Sequence, residues 1–248
     1  KYLSAHYADN NIRINSISPG GVQNNHDKTF IKKYSNRVPM KRMAKANEIL
    51  GYSLSNLCVN GPEEQLGQTQ YTQPALYLVS YLHSRAISSD TEKPAMAAGH
   101  SVGEFAALAY AGAFSFTDGL KMVAKRGEIM SQVSGGGMAA VIALDADKIK
   151  EVFADKGLKG IDLANFNSPG QIVISGPAAE ISESLAPLKK AGAKLVVPLK
   201  VSGAFHSRMM EEPAQKFAEF LKDFSFHETA IPVYANVTAS PYPDASCI

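Results

Sequence analysis

A chain of 248 residues with 45% hydrophobic content can bury one large core or two smaller ones. A formal net charge of +2 gives no electrostatic reason for a nucleic-acid or membrane partner, and no apolar run reaches the roughly 18 residues that a bilayer crossing needs. Two cysteines far apart, Cys58 and Cys247, do not make a disulfide framework and point to a reducing, cytoplasmic setting.

In chain order, Tyr2 to Ala8 reads as helix with Asn10-Asn11 as its stop, and Ile12 to Ile17 alternates like a strand before the turn Ser18-Pro19-Gly20-Gly21. The pattern NIRINSISPGGV (Asn11 to Val22), followed by RVPMKRMAKANEI (Arg37 to Ile49), resembles the C-terminal part of the short-chain dehydrogenase/reductase family. That resemblance implies a short Rossmann-type fragment over 1–49. It implies no dinucleotide site and no oxidoreductase activity, because the family's cofactor turn and catalytic Tyr and Lys would precede Lys1. The basic cluster Lys32, Lys33, Arg37, Lys41, Arg42 and Lys45 reads as a solvated face.

A second composition opens at Leu50. Gly61-Pro62 turns the chain, Glu63-Glu64 starts a short helix, and Pro74 sits near the first turn of an apolar helix from Ala75 to about Ser84. A loop, Ser88 to Lys93, leads to a short buried strand, Ala95 to Ala98. Gly99-His100-Ser101-Val102-Gly103-Glu104 follows, then an Ala-rich helix, Phe105 to Ala113, closed by Gly112. A serine with glycine two residues away on each side, at a strand-to-helix turn, is the nucleophile-elbow pattern. The glycines allow a sharp turn, and the helix aims its amides and positive dipole end at the place where an oxyanion would form.

The next helix is expected over Asp118 to Val133, with Ser115 or Thr117 as cap. Met122, Val123, Ile129, Met130 and Val133 make its apolar stripe, and Arg126 falls in the middle of it. An arginine on an inward face needs an anion or a route past the core. It is either a salt-bridge partner for a protein carboxylate, a snorkelling side chain, or a guanidinium fork for a substrate carboxylate.

Gly135-Gly136-Gly137 reads as a hinge. Beyond it come strand (Met138 to Leu144), helix (Asp147 to Asp155), two strands (Ile161 to Ala164, Gln171 to Ser175) around the turn Asn165 to Gly170, helix (Pro177 to Ala191) and strand (Lys194 to Lys200). The order β-α-β-β-α-β is that of a ferredoxin-like unit, inserted in a larger α/β domain. His206 follows in a glycine-containing loop, Val201 to Ser207. An elbow serine needs a base, and this loop histidine is free to serve as one. Pro213 starts an amphipathic helix with Phe217, Phe220 and Leu221, and Ile231 to Val237 is a last strand. No metal-ligand spacing and no Walker loop is read.

From Leu50 to Ile248 the chain resembles the malonyl-CoA:acyl-carrier-protein transacylase family, in the stretches LGYSLSNLC, QTQYTQPAL, AAGHSVGEFAALAYAGAFS, AKRGEIM, GGMAAVIAL, NFNSPGQIVISG, AGAKLVVPLKVSG, FHSRMM and IPVYANVTA, in the family's order and spacing. The join with the first piece reads near Glu48 to Gly51. The resemblance implies an α/β fold. Its α/β-hydrolase-like large domain would occupy 50–134 and 201–248, and its ferredoxin-like subdomain 135–200. It implies transfer of malonyl from malonyl-CoA through a serine ester to the phosphopantetheine thiol of acyl carrier protein, in fatty-acid or polyketide synthesis, without a cofactor.

By the same resemblance Ser101 would be the nucleophile and His206 its base. Arg126 would hold the malonyl carboxylate, and the Val102 amide would give part of the oxyanion hole. Gln73, His100 and Asn167 would line or support the site. Phe205 matches the malonyl-selecting version, and Ala204 stands where the family often has proline, which implies a looser loop. The family's leading Gly-Gln-Gly-Ser-Gln loop, source of the second oxyanion donor, has no counterpart here, and the family continues past Ile248. The chain is therefore expected to be a fragment at both ends. Two other readings stay open: a serine hydrolase of α/β type, and a truncated non-catalytic fragment.

Overall fold

The computed structural model describes residues 46–90, 94–201 and 203–248. The Rossmann-type fragment expected over 1–49 lies almost wholly outside the described residues, as does the basic cluster. Residues 46–50 are helical. Helices α1 (Leu54–Asn60) and α2 (Glu63–Leu66) precede the long α3 (Thr69–Asp90). Strand β1 (Ala97–Ala98) leads to α4 (Gly103–Ala111) and α5 (Phe116–Ser131). Then come β2 (Gly136–Ile142), α6 (Ala146–Lys156), β3 (Asp162–Ser168), β4 (Gln171–Pro177), α7 (Ala178–Lys190) and β5 (Leu195–Pro198). A 3-10 turn, Arg208–Met210, enters α8 (Glu211–Leu221), and β6 (Val233–Tyr234) follows.

Four expectations are corrected. The strand expected as buried over Ala95 to Ala98 spans only Ala97–Ala98, and neither residue is buried. Helix α3 starts at Thr69, so Pro74 lies inside it and not in its first turn, and it runs through the expected loop as far as Asp90. The proline costs the backbone bond to Gln70, but it is fully buried, so packing offsets that loss. The expected Asn165-to-Gly170 turn shrinks to Pro169-Gly170, because Asn165 through Ser168 continue β3 and pair with β4. The glycine run is no hinge. Gly136 and Gly137 are strand residues opposite Pro177 and Gly176. They are small because the chain is crowded there: a Cβ on Gly136 would fall 2.2 Å from the Ala204 backbone nitrogen.

Contacts divide the chain into two compact units. The first holds the described part of Lys1–Ser53 with Leu76–Thr117 and His227–Ile248. In it β1 and β6 pair in parallel, Ala97 with Val233 and Ala98 with Tyr234. Helix α4 ends at Gly112, whose φ of 94° lets its N–H and that of Ala113 turn back onto Ala109 and Leu108. Segment 227–230 then runs along that end, its His227 and Ala230 amides donating to Ala113 and Ala111. Tyr77, Tyr81 and Phe116 form an aromatic cluster, with centroids 5.5 and 4.9 Å from Phe116, and the Tyr77 hydroxyl donates to the Phe116 carbonyl.

The second unit holds Leu54–Ala75 and Asp118–Phe226. Its sheet has the order β3-β4-β2-β5, all neighbours antiparallel. Side chains alternate between its faces. Ala139, Val141, Ile172 and Ile174 point into a core with Ile149 and Phe153 of α6 and Ile181 and Leu188 of α7. Met138, Ala140 and Val173 point the other way, where Ala164 and Phe205 cover them. Asp145 caps α6 by accepting from the Lys148 amide, and Gly157 closes it at φ 68°. One side of the sheet is thus the core, and the other seats the residue before His206.

Gly136→Ala tests the crowding. Its methyl meets backbone, which cannot swing away, so a loss of about 1–3 kcal/mol is expected in urea or thermal melts.

Candidate active site

Ser101 sits in the turn between β1 and α4 with φ 52°, the left-handed region that a serine rarely adopts. The turn forms because its first glycine permits close approach. A Cβ on Gly99 would lie 2.0 Å from the carbonyl of Gly103, whereas a Cβ on Gly103 would meet open space. Of the two glycines in the motif, then, only Gly99 is demanded by contact. The amides of Gly103 and Glu104 turn back to the carbonyls of His100 and Ser101. Among the described residues no hydrogen bond engages the Val102 amide, at the head of α4. His100 is exposed and Ser101 half-buried.

Behind the turn lies a polar cluster that the sequence reading did not single out. Asn236 Oδ1 accepts the Ser101 amide at 2.7 Å, and its Nδ2 donates to the Gly99 carbonyl at 2.5 Å. Glu104 Oε1 accepts both the Asn236 amide (2.9 Å) and the Tyr242 hydroxyl (2.8 Å). Burial, and then the bond to Glu104, push the Tyr242 hydroxyl above its ordinary value, so it remains a donor. Glu104 lies inside the Gly99–Glu104 motif and Asn236 inside IPVYANVTA, but periodicity does not mark either as a hydrogen-bonding group.

In the second unit Arg126 is half-buried on α5, and its Nη1 donates to Oε1 of the buried Gln73 at 2.7 Å. This partner is a neutral amide, which was not among the readings left open for Arg126 and does not decide between them. Helix approach makes this possible: at Gly127 a Cβ would be 2.9 Å from the Thr69 carbonyl at the start of α3. Gln73 also donates to the Met130 sulfur at 3.2 Å. Asn167 is exposed near the end of β3.

His206, also in the second unit, is exposed with φ 59°. Its loop is held on both sides. Ala204 is fully buried against Gly136, and Phe205 covers Met138, Ala140 and Val173. The Ser207 hydroxyl donates to the Ala204 carbonyl at 2.7 Å and accepts the Met209 amide at 3.2 Å. Arg208 donates through its backbone amide and guanidinium to Asp162 at the start of β3. These contacts pin the loop at Ala204, Phe205, Ser207 and Arg208. The Arg208 hydrogen bond holds the Asp162 carboxyl below its usual range, against a smaller opposing effect of burial.

Cys58 has no part in this chemistry. Burial pushes its thiol up to about 11, so it stays protonated and unreactive at neutral pH. Among the described residues no cluster of three or more His, Cys, Asp or Glu is placed to hold a metal, and no helix is long and apolar enough to cross a membrane.

A glycine-framed serine in left-handed backbone between a strand and a helix is the arrangement of the nucleophile-elbow class of sites. Comparison with known proteins narrows the class. The family model for the acyl transferase domain matches residues 35–247. A malonyl CoA-acyl carrier protein transacylase of polyketide biosynthesis, PksC of Bacillus subtilis, is 47% identical over 199 residues, covering 79% of this chain and 69% of PksC. The polyketide biosynthesis protein ThaF of Burkholderia thailandensis is 52% identical over 204 residues, which is 81% of this chain but 18% of ThaF. The crystal structure of malonyl CoA-acyl carrier protein transacylase from Burkholderia pseudomallei superposes with a TM-score of 0.81 at 42% identity, over 86% of this chain and 74% of that one. The chain belongs to the acyl transferase domain family, in its malonyl CoA-acyl carrier protein transacylase branch.

The Asp162–Arg208 pair has a definite pH signature. Asp162 has a lowered pKa when folded, so its contribution to stability is complete above the ordinary carboxylate pKa and is lost as pH falls through the folded value. A carboxyl-carbon NMR titration should find Asp162 below the usual carboxylate range, and Arg208→Ala should move it back up.

Proposed function

We propose that this chain moves a malonyl group from malonyl-CoA, through an ester on Ser101, to the phosphopantetheine thiol of an acyl carrier protein, in fatty-acid or polyketide synthesis. The observation that carries the reading is Ser101 itself: left-handed at φ 52°, at the head of α4, on a turn closed by Gly99. The transacylases named above supply the acyl group and the carrier.

In the first half-reaction Ser101 Oγ attacks the thioester carbonyl carbon of malonyl-CoA while His206 takes its proton. The oxyanion accepts from the Val102 amide, and a single such donor is worth roughly 100- to 1000-fold in turnover. Collapse breaks the carbon–sulfur bond, and His206 returns the proton to the departing coenzyme A sulfur. The carrier thiol then repeats the sequence in reverse on the serine ester. The thioester brings the activation, and each half only exchanges the acyl group between a thiol and the serine, so neither calls for a cofactor.

Arg126 pairs with the free malonyl carboxylate, with Gln73 fixing one side of its fork. Phe205 narrows the room beside the α-carbon, and His100 and Asn167 support the site's edges. Within the second unit, the sheet β3-β4-β2-β5 with α6 and α7 reads as the ferredoxin-like subdomain at 135–200, and 50–134 with 201–248 reads as the α/β-hydrolase-like part, a division that differs from the contact-based one. The dehydrogenase-like segment at 1–49 stays a resemblance in sequence.

Intact mass of the folded protein after incubation with malonyl-CoA should show one malonyl adduct, absent in Ser101→Ala. No adduct on protein that melts cooperatively would refute the reading, and rapid release of free malonate without carrier would indicate a hydrolase. Arg126→Ala should shift loading from malonyl toward acetyl by about tenfold or more, the order expected when a charge-assisted pair is lost; unchanged selectivity would remove its assigned role.

A further inference from the structure

The left-handed backbone at Ser101 is disfavoured, so something must hold it in place. Gly99 makes the turn possible, but a glycine favours many conformations and selects none. The selecting group is visible on the other side of the turn. Asn236 presents an acceptor to the Ser101 amide and a donor to the Gly99 carbonyl, so one planar amide bridges the residue before the turn's midpoint and the serine itself. Its orientation is forced: reversed, it would set oxygen against oxygen and N–H against N–H.

Asn236 is exposed and follows a two-residue strand, which does not fix its position by packing. Glu104 does so by accepting the Asn236 amide, and the Tyr242 hydroxyl donates to the same oxygen. Glu104 stands in the first turn of α4, so the helix that starts at the serine also anchors the residue that bridges the serine's turn.

We propose that Asn236, seated by Glu104 and Tyr242, is the positioning residue for the nucleophile: its side-chain amide holds the 99–101 turn in the conformation that presents Ser101 Oγ. The proposal rests on Ser101 being the nucleophile, as argued above. The three side chains act through hydrogen-bond geometry, not charge, since both bonds to Glu104 reach one oxygen. An amide oxygen in its place serves equally.

Two readouts on the full chain test this. The first does not need activity: hydrogen exchange of the Ser101 amide. Asn236→Ala and Glu104→Ala should speed it by about tenfold, the loss of one net hydrogen bond, while Glu104→Gln leaves it as in the parent. The second is the rate of Ser101 acylation by malonyl-CoA. Asn236→Ala should lower kcat by about 100-fold, the scale of an ångström-sized misplacement, with KM nearly unchanged, and Glu104→Gln should keep near-parent turnover. Ile149→Val, a core truncation on α6 on the sheet face opposite the histidine loop, serves as the control for general destabilisation. Unchanged Ser101 exchange in Asn236→Ala would overturn the proposal. So would a Glu104→Gln variant as impaired as Glu104→Ala, or a kcat loss no larger than that of the control at equal stability. A parent protein with a protected Ser101 amide, lost in Asn236→Ala, but no acyl adduct would sustain the positioning role and sink the malonyl-transfer reading instead.

Discussion

A serine with positive φ is the constraint from which the rest of the first unit can be understood. Left-handed backbone is disfavoured for any residue with a Cβ, so the chain around Ser101 must supply compensation on every side. Gly99 removes the steric obstacle, the carbonyls of His100 and Ser101 accept the first amides of α4, and Asn236 ties the two ends of the turn together. What is left over is the Val102 amide, at the positive end of a helix and next to the serine. The contacts that hold the turn thus leave this one amide, among the described residues, without a hydrogen bond.

The second unit meets an analogous demand with other means. His206 also has positive φ, but no glycine adjoins it. Its loop is held by volume and by side-chain bonds: Ala204 over Gly136, Phe205 on the sheet, Ser207 bridging the turn, Arg208 on Asp162. The alternation of β2 is what makes this work, because residues of one parity build the helix-covered core while those of the other parity form the seat of the histidine loop. Arg126 adds a third solution, a guanidinium oriented by an amide that closely packed helices bring within reach.

Local signals made much of this legible in the sequence. The elbow motif, the Gly112 helix end, the β-α-β-β-α-β order and the inward place of Arg126 all follow from period and punctuation, and each of those features recurs in the structure. Errors arose where tertiary contact outweighed local preference. Pro74 is tolerated inside a helix because it is buried, Asn165 to Ser168 extend a strand because β4 is there to pair with, and Gly136 is a packing glycine because Ala204 lies on it. The Asn236–Glu104–Tyr242 cluster and the Asp162–Arg208 pair join residues far apart in sequence, and no pattern within one segment can reveal such a partner.

The bond from the Ser101 amide to Asn236 spans 135 positions of chain. During synthesis, at about 5–20 residues per second, the serine therefore leaves the ribosome on the order of ten seconds before the residue that shapes its turn. Through that interval the nascent chain carries the glycine-framed motif without its final geometry. The shape of the Ser101 turn is thus a late event of biogenesis, reached only when segment 233–242 has returned to pair beside β1.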